Sequence, residues 1–218
     1  DGAPDPQRSY GFVIERLGVP ADRVCAFTFT NKAAGEIAER LERALGESAG
    51  LVKTGTIHAF CAELLREFGS RVGLEPGFGI ADETYQRAVL RRLGVPAQWH
   101  GGLLVRFATH RFLGERLRPN DADVFERYRR FLEERRVADF DMLVTRTAEL
   151  LGDAHVVARI RARWDCMLVD EVQGLNPVQY AVIRDIGRDH RHIFAVGDDE
   201  QSIYSWAGAD PHVFLDFM

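Results

Sequence analysis

The chain reads as an α/β protein built on a parallel sheet flanked by helices. Cys166-Met167-Leu168-Val169 and His192-Ile193-Phe194-Ala195-Val196 are short apolar runs without polar alternation. That is the habit of strands buried on both faces, as in parallel sheets covered by helices. Val24 to Thr30 is a third run of buried and β-branched residues. The run at Cys166 stops abruptly at Asp170 and Glu171, at the carboxyl end of a strand, where such sheets place their ligands.

At 218 residues there is room for one large domain or two small ones. The chain opens at Asp1 and ends at Phe217-Met218 without a closing signal, so it reads as a piece of something longer. No apolar run approaches the ~20 residues of a membrane span, and no signal-peptide pattern opens the chain, so no membrane partner is expected. Cys25, Cys61 and Cys166 are scattered, which points to a reducing, cytoplasmic setting with neither a disulfide frame nor a zinc site. The net charge of −5 hides a polarity: residues 87–136 carry 12 Arg against 6 acidic side chains. That block suits a surface tracking phosphates, and equally a set of solvated helix faces in a chain whose only lysines are Lys32 and Lys53.

In order, Asp1 to Tyr10 (DGAPDPQRSY) is turn-rich, and Gly11 to Leu17 fits a short helix stopped by Gly18-Val19-Pro20. After the strand at Val24 to Thr30, Asn31-Lys32 opens a helix whose apolar positions Ala34, Ile37, Leu41 and Leu45 recur at helical spacing up to Gly46. An amphipathic helix is expected from Ala59 to Phe68, ending at Gly69. Gly73 to Ile80 gives a loop and a brief strand, and the composition shifts there. Residues 81–139 read as helices with apolar positions Val89, Leu90, Leu93, Phe125, Tyr128, Phe131 and Leu132, punctuated at Gly101-Gly102 and Pro119-Asn120. A helix from Leu143 to Leu151 leads to the central strand.

In a nucleotide hydrolase two adjacent acids divide their work physically. One holds a hard Mg²⁺ and the next orients and deprotonates the attacking water. A solvated strand end would look the same in isolation. The longer motifs carry more: Leu168–Gln179 (LVDEVQGLNPVQ) and Phe194–Asp210 (FAVGDDEQSIYSWAGAD) resemble the Walker B segment and third helicase motif of the UvrD/Rep family, superfamily 1 DNA helicases. Thr28–Leu41 (TFTNKAAGEIAERL) resembles motif Ia, Gly55-Thr56-Ile57-His58 resembles motif Ib, and Asp139-Phe140-Asp141-Met142-Leu143 resembles the segment where the chain returns to the motor core.

The resemblance implies a RecA-like P-loop NTPase motor domain from residues 1–72 and 139–218, with a short helical subdomain inserted at 73–138. It implies ATP and Mg²⁺ as cofactors, Asp170 as metal ligand, Glu171 as base, and Gln201 as the sensor of the terminal phosphate. Phe29, Thr30, Asn31, His58, Tyr204 and Trp206 would lie along single-stranded DNA, the aromatics stacking on any base. On local pattern alone Phe29, Tyr204 and Trp206 could be core and His58 a structural residue. The parent activity would be ATP-dependent 3′ to 5′ translocation on single strands, opening single-strand/duplex junctions, with a second motor domain completing the ATP site.

Departures qualify this. Only Gly2 and Ser9 fit the frame G-x-x-x-x-G-K-[ST], with Arg8 in place of the compact Lys. Pro4 and Pro6 have no N–H for phosphate oxygens, Asp5 would repel them, and Gln7 stands where Gly allows close approach. Gly2, Arg8 and Ser9 are thus a degenerate phosphate loop, with Ser9 a second metal contact in name only. Gly174-Leu175 replaces a polar pair after Gln173, and Ala207 replaces an Arg. Two expectations follow: an ATP-binding half of a helicase, inactive alone, or a helicase-derived DNA-binding scaffold subunit whose ATPase has died. Any real strand binding should be steeply salt-dependent.

Overall fold

The computed structural model describes residues 18–188, 190 and 192–197. The helix expected at Gly11 to Leu17 and the candidate residues Gly2, Arg8, Ser9, Gln201, Tyr204 and Trp206 lie outside the described residues.

Four parallel strands form the main sheet: β1 (Val24–Thr28), β2 (Lys53–Thr56), β5 (Cys166–Val169) and β6 (His192–Ala195), in the order β2-β1-β5-β6. This is the RecA-like α/β arrangement expected. Both central strands are buried along their whole length, so their side chains alternate between two hydrophobic clusters. Val24, Ala26, Cys166 and Leu168 face one way, onto Ile37 and Leu41 of α1 (Asn31–Leu45). Cys25, Phe27, Met167 and Val169 face the other, onto Phe60, Cys61 and Leu64 of α2 (Ile57–Phe68). There Phe27 meets Phe60 at 4.5 Å between ring centroids, and Phe60 meets Trp164 at 5.5 Å, within the range of favourable aromatic pairs.

Strand and helix are joined at one rim by the same device. The Thr30 hydroxyl accepts from Ala33 N at 3.1 Å to cap α1, and the Thr56 hydroxyl accepts from Ala59 N at 3.2 Å to cap α2. Capping explains why β1 ends at Thr28, short of the expected Thr30, and why α2 starts at Ile57, ahead of Ala59. Gly46 closes α1 at φ 59°, where a side chain would strain the backbone.

The region expected to be an insert is bracketed by two short parallel strands, β3 (Gly79–Ala81) and β4 (Val137–Asp139). Between them run α3 (Glu83–Arg92), α4 (His100–Leu113) and α5 (Pro119–Glu134). Phe107, Tyr128, Leu132 and Leu90 are buried between these helices, in one cluster continuous with the α2 side of the sheet. The expected break at Gly101-Gly102 is not there: both glycines sit in the first turn of α4, where helical N–H groups lack intrahelical partners anyway. Pro119 does punctuate, as the first residue of α5.

Three further helices follow: α6 (Phe140–Leu150), α7 (Ala154–Arg161) and α8 (Pro177–Gly187). Helix α8 backs onto β6 closely: a Cβ on Gly187 would stand 2.8 Å from Ile193 Cδ1. Strand β6 itself is half-exposed, with Ile193 39% accessible, where a fully buried run was expected. It is the last strand of the described sheet and is paired on one side only, with β5.

Candidate nucleic-acid groove and nucleotide rim

The register brings the functional strand ends together. Phe27 pairs with Val169, and Val169 with Ala195, so β1, β5 and β6 finish on one rim. Asp170 N donates to Phe27 O at 2.9 Å, Val196 N to Val169 O at 2.8 Å, and Val172 N to Val196 O at 3.2 Å. These bonds fix the turn that carries the acid pair between its two neighbouring strands. Thr30 and Asp170 therefore emerge from the same rim, while Gln201 lies outside the described residues.

Asp170 is half-buried and has no cationic partner among the described residues. Level with it, the buried Thr28 hydroxyl has no hydrogen-bond partner among the described residues. A free carboxylate beside an orphaned hydroxyl is a hard-oxygen environment, of the kind that suits Mg²⁺ shared with phosphate oxygens. No cluster of three metal-ligating side chains occurs among the described residues. Glu171 occupies the left-handed region at φ 57°, rare for a residue with a side chain. Gln173, almost fully buried, donates Nε2 to Glu171 Oε2 at 2.6 Å.

The loop that begins at these acids ends in a groove of about 690 Å³. Its floor comes from the sheet rim: Phe29, Thr30 and Asn31 after β1, Thr56 and His58 after β2, then Gly174, Asn176 and Gln179. All four predicted strand-contacting residues that fall within the described residues, Phe29, Thr30, Asn31 and His58, line this one cavity. The other wall is supplied by Glu83, Gln86 and Arg87 of α3 and Leu104, Val105, Ala108 and Phe112 of α4. Phe140 and Asp141, at the start of α6, close one side.

His58 is held rather than free. Asn176 N donates to Gln179 Oε1 at 3.0 Å in a capping box, which fixes the orientation of that amide. Gln179 Nε2 is then left to donate to His58 Nε2 at 3.5 Å. Burial pushes the imidazole down to about 4, so at neutral pH it is an uncharged hydrogen-bonding group. Its ring meets Phe140 edge-on, 5.4 Å between centroids.

Phe140 was missed as a groove residue. It is 40% exposed and lines the same cavity as Phe29. The available signal was an aromatic standing between two acids at the first position of an amphipathic helix. Behind it Arg111 Nη1 binds both oxygens of Asp139 at 2.9 Å and reaches Asp141 Oδ2 at 3.3 Å. Asp139 also accepts from Tyr128 Oη at 2.9 Å and caps α6 through Met142 N at 2.8 Å. One buried carboxylate thereby ties α4, α5, β4 and α6 together. Burial and the Asp139 charge push the Asp141 carboxyl up to about 6, against the pull of Arg111.

The Arg-rich block is mostly spoken for. Arg87 pairs with Glu83, Arg106 with Asp121, Arg127 with Asp123, and Arg129 with both Glu126 and Glu133. Arg92 and Arg135 lie over the Phe131 ring. Arg91, Arg116, Arg118 and Arg136 are exposed, with no carboxylate partner among the described residues. In the groove wall Arg87 is the one cation among the described residues, and its guanidinium is held by Glu83 at 2.6 Å.

A parallel sheet flanked by helices, with an acid pair at the rim of its central strand, is a RecA-like P-loop α/β fold, and the chain belongs to the UvrD/REP helicase family. The family model for the UvrD/REP helicase N-terminal domain matches residues 10–100 and 106–218. Among curated relatives, the ATP-dependent DNA helicase PcrA of Staphylococcus aureus is 29% identical, over 94% of this chain and 31% of its own length. PcrA of Staphylococcus epidermidis is 30% identical over the same shares. The chain thus spans about a third of the length of these relatives.

Proposed function

We propose that this chain is the nucleotide-side half of an ATP-dependent 3′ to 5′ single-strand DNA translocase or helicase acting in repair or recombination in the cytoplasm. A second motor domain, beyond this chain, would complete the ATP site. The single observation that carries the proposal is the groove in which Phe29, Thr30, Asn31 and His58 converge, one short loop away from Asp170 and Glu171. Residues 1–72 and 139–218 form the motor part of this reading and residues 73–138 the insert.

In this reading a single strand lies in the groove with bases against Phe29 and Phe140, since stacking is indifferent to base identity. Asn31, His58 and the helix N-termini at Thr30 and Thr56 offer neutral donors and positive dipole ends to the backbone. Tyr204 and Trp206 would extend the stacking surface, and Gln201 would sense the terminal phosphate. Asp170, with Ser9 where the degenerate loop reaches, would hold the Mg²⁺ that neutralises charge on the phosphates. Glu171, steadied by Gln173, would take the proton of the attacking water. The loop from Asp170 to Asn176 joins hydrolysis to the strand, because movement at the acids moves Gly174 and Asn176 in the groove.

A second reading is favoured by one feature, the phosphate loop with Pro4, Asp5, Pro6 and Arg8. It is an ATPase-dead DNA-binding scaffold subunit that keeps the groove alone. Titrating the chain with oligothymidylate and, separately, with Mg-ATP distinguishes the two. Strand binding is expected in both. Nucleotide binding by the unaltered chain removes the scaffold reading. Nucleotide binding that appears only in a Gln7→Gly, Arg8→Lys variant supports the scaffold. No strand binding by a folded chain removes both.

A further inference from the structure

We propose that Asp141 couples strand binding to proton uptake: when the phosphodiester backbone enters the groove, the Asp141 carboxylate takes a proton from solvent, so binding tightens on acidification. The inference rests on the strand-groove reading and adds a linked ligand, the proton.

The geometry makes Asp141 the under-compensated member of a pair. A single guanidinium nitrogen, Arg111 Nη1, serves two carboxylates, and Asp139 holds it through both oxygens at 2.9 Å against 3.3 Å to Asp141. Asp139 gains Tyr128 Oη and Met142 N as well, whereas no other side-chain donor reaches the Asp141 carboxylate among the described residues. Asp141 also faces the cavity, with its side chain 27% exposed, while Asp139 is sealed behind it at 2%.

The surroundings from each element packed on the site agree. Helix α4 supplies Arg111, already shared; β4 supplies Asp139; α5 supplies Tyr128, bound to Asp139. Across the cavity α3 presents Glu83 and Arg87, paired with each other, and α2 presents His58. No described group there is a free cation that could offset an entering phosphate. The backbone charge therefore acts on Asp141 directly, and a nearby anion favours the neutral carboxylic acid. His58 cannot be the proton acceptor near neutrality, since burial has lowered it to about 4. Asp141 starts from about 6, so a modest further rise on binding falls inside the working pH range.

Linkage fixes the sign. A group that binds more proton in the complex than in the free protein makes affinity rise as pH falls between its two pKa values, with a ceiling of about tenfold per pH unit for one proton. The test is fluorescence anisotropy of oligothymidylate, whose bases carry no group titrating in this window, from pH 8 to pH 6 at constant salt. Calorimetry in buffers of different ionisation heat then counts the protons. The expected result is an affinity gain of about threefold per pH unit near the midpoint and uptake of about half a proton, as a rise of about one unit on binding gives. Asp141→Asn, neutral at every pH, is expected to bind with a flat profile and no proton uptake. His58→Gln binds more weakly but keeps the slope. Binding without pH dependence, or a slope that survives in Asp141→Asn, overturns this inference and leaves the groove standing. A folded chain that binds no strand at any pH overturns both.

Discussion

The floor and the far wall of the groove are held in place by different physics. The floor sits on a sheet whose two central strands are buried throughout, and its residues are set by helix caps at Thr30 and Thr56. The wall hangs on a buried charge network, Arg111, Asp139 and Tyr128, set in the apolar cluster around Phe107 and Leu132. Caps are local and worth about 1 kcal/mol each, whereas a buried ion pair is all or nothing. The floor should therefore tolerate single polar changes that the wall does not.

The sharpest way to break this contrast is Asp139→Ala. It leaves the buried Arg111 with its longer Asp141 contact alone, orphans the Tyr128 hydroxyl and uncaps α6, a combination expected to cost about 3–5 kcal/mol in urea unfolding. Thr30→Ala, on the floor, should cost about 1 kcal/mol. Equal losses in the two variants would mean that the network does not carry the wall. Next in size come the two stacking rings. Phe29→Ala on the floor and Phe140→Ala on the wall side should each weaken oligothymidylate binding by about 1–3 kcal/mol, or roughly 5- to 150-fold, with the fold intact by circular dichroism. Loss from Phe29→Ala alone would place the strand on the floor, away from α6.

The framework of the floor was legible because its constraints are local: the strand at Val24 and the amphipathic helices after Thr30 and Thr56 show in the apolar pattern. Phe29, Thr30, Asn31 and His58 were singled out by the motif resemblance, since the local pattern leaves Phe29 as core and His58 as structural. The same rules would have found α8, since Asn176-Pro177 followed by Gln179 is a capping-box signature inside the acid motif. The wall was hidden because nothing local links Arg111 to Asp139, 28 residues on, or brings Val105 and Phe112 to the cavity that Phe140 lines. Arginine count left two readings open, and most guanidiniums in the block answer a neighbouring carboxylate or ring. Glycines 101 and 102 misread as a break because a first helical turn tolerates them.

The two titratable groups on the groove make opposite predictions for stability. His58 is lowered on folding, so the unfolded chain binds more protons between pH 6.5 and about 4, and stability is lost as pH falls through that interval. Asp141 is raised, so the folded chain binds more protons between pH 3.8 and about 6, and its ionised form costs stability above that interval. Asp141→Asn should accordingly stabilise the chain at pH 7.5 by roughly 1–2 kcal/mol, with the gain fading towards pH 4. Thermal unfolding across that range checks it; a constant difference at all pH values would assign the effect to packing.

The smallest effect concerns salt, and it decides which wall the backbone touches. Released counterions give log K a slope of about −0.7 per neutralised phosphate on single strands. The groove offers Arg87 alone among its described cations, already engaged by Glu83, and the sequence from His192 to Met218 contains no Lys or Arg. Binding through the groove should therefore show a slope no steeper than about −1, shallower than composition alone suggested. A slope of about −3 or beyond would instead enlist the exposed Arg91, Arg116, Arg118 and Arg136 of the insert, and Arg116→Gln with Arg118→Gln would then flatten it by about 1.4. With a shallow slope the same double variant should change nothing, because those guanidiniums would stand clear of the strand.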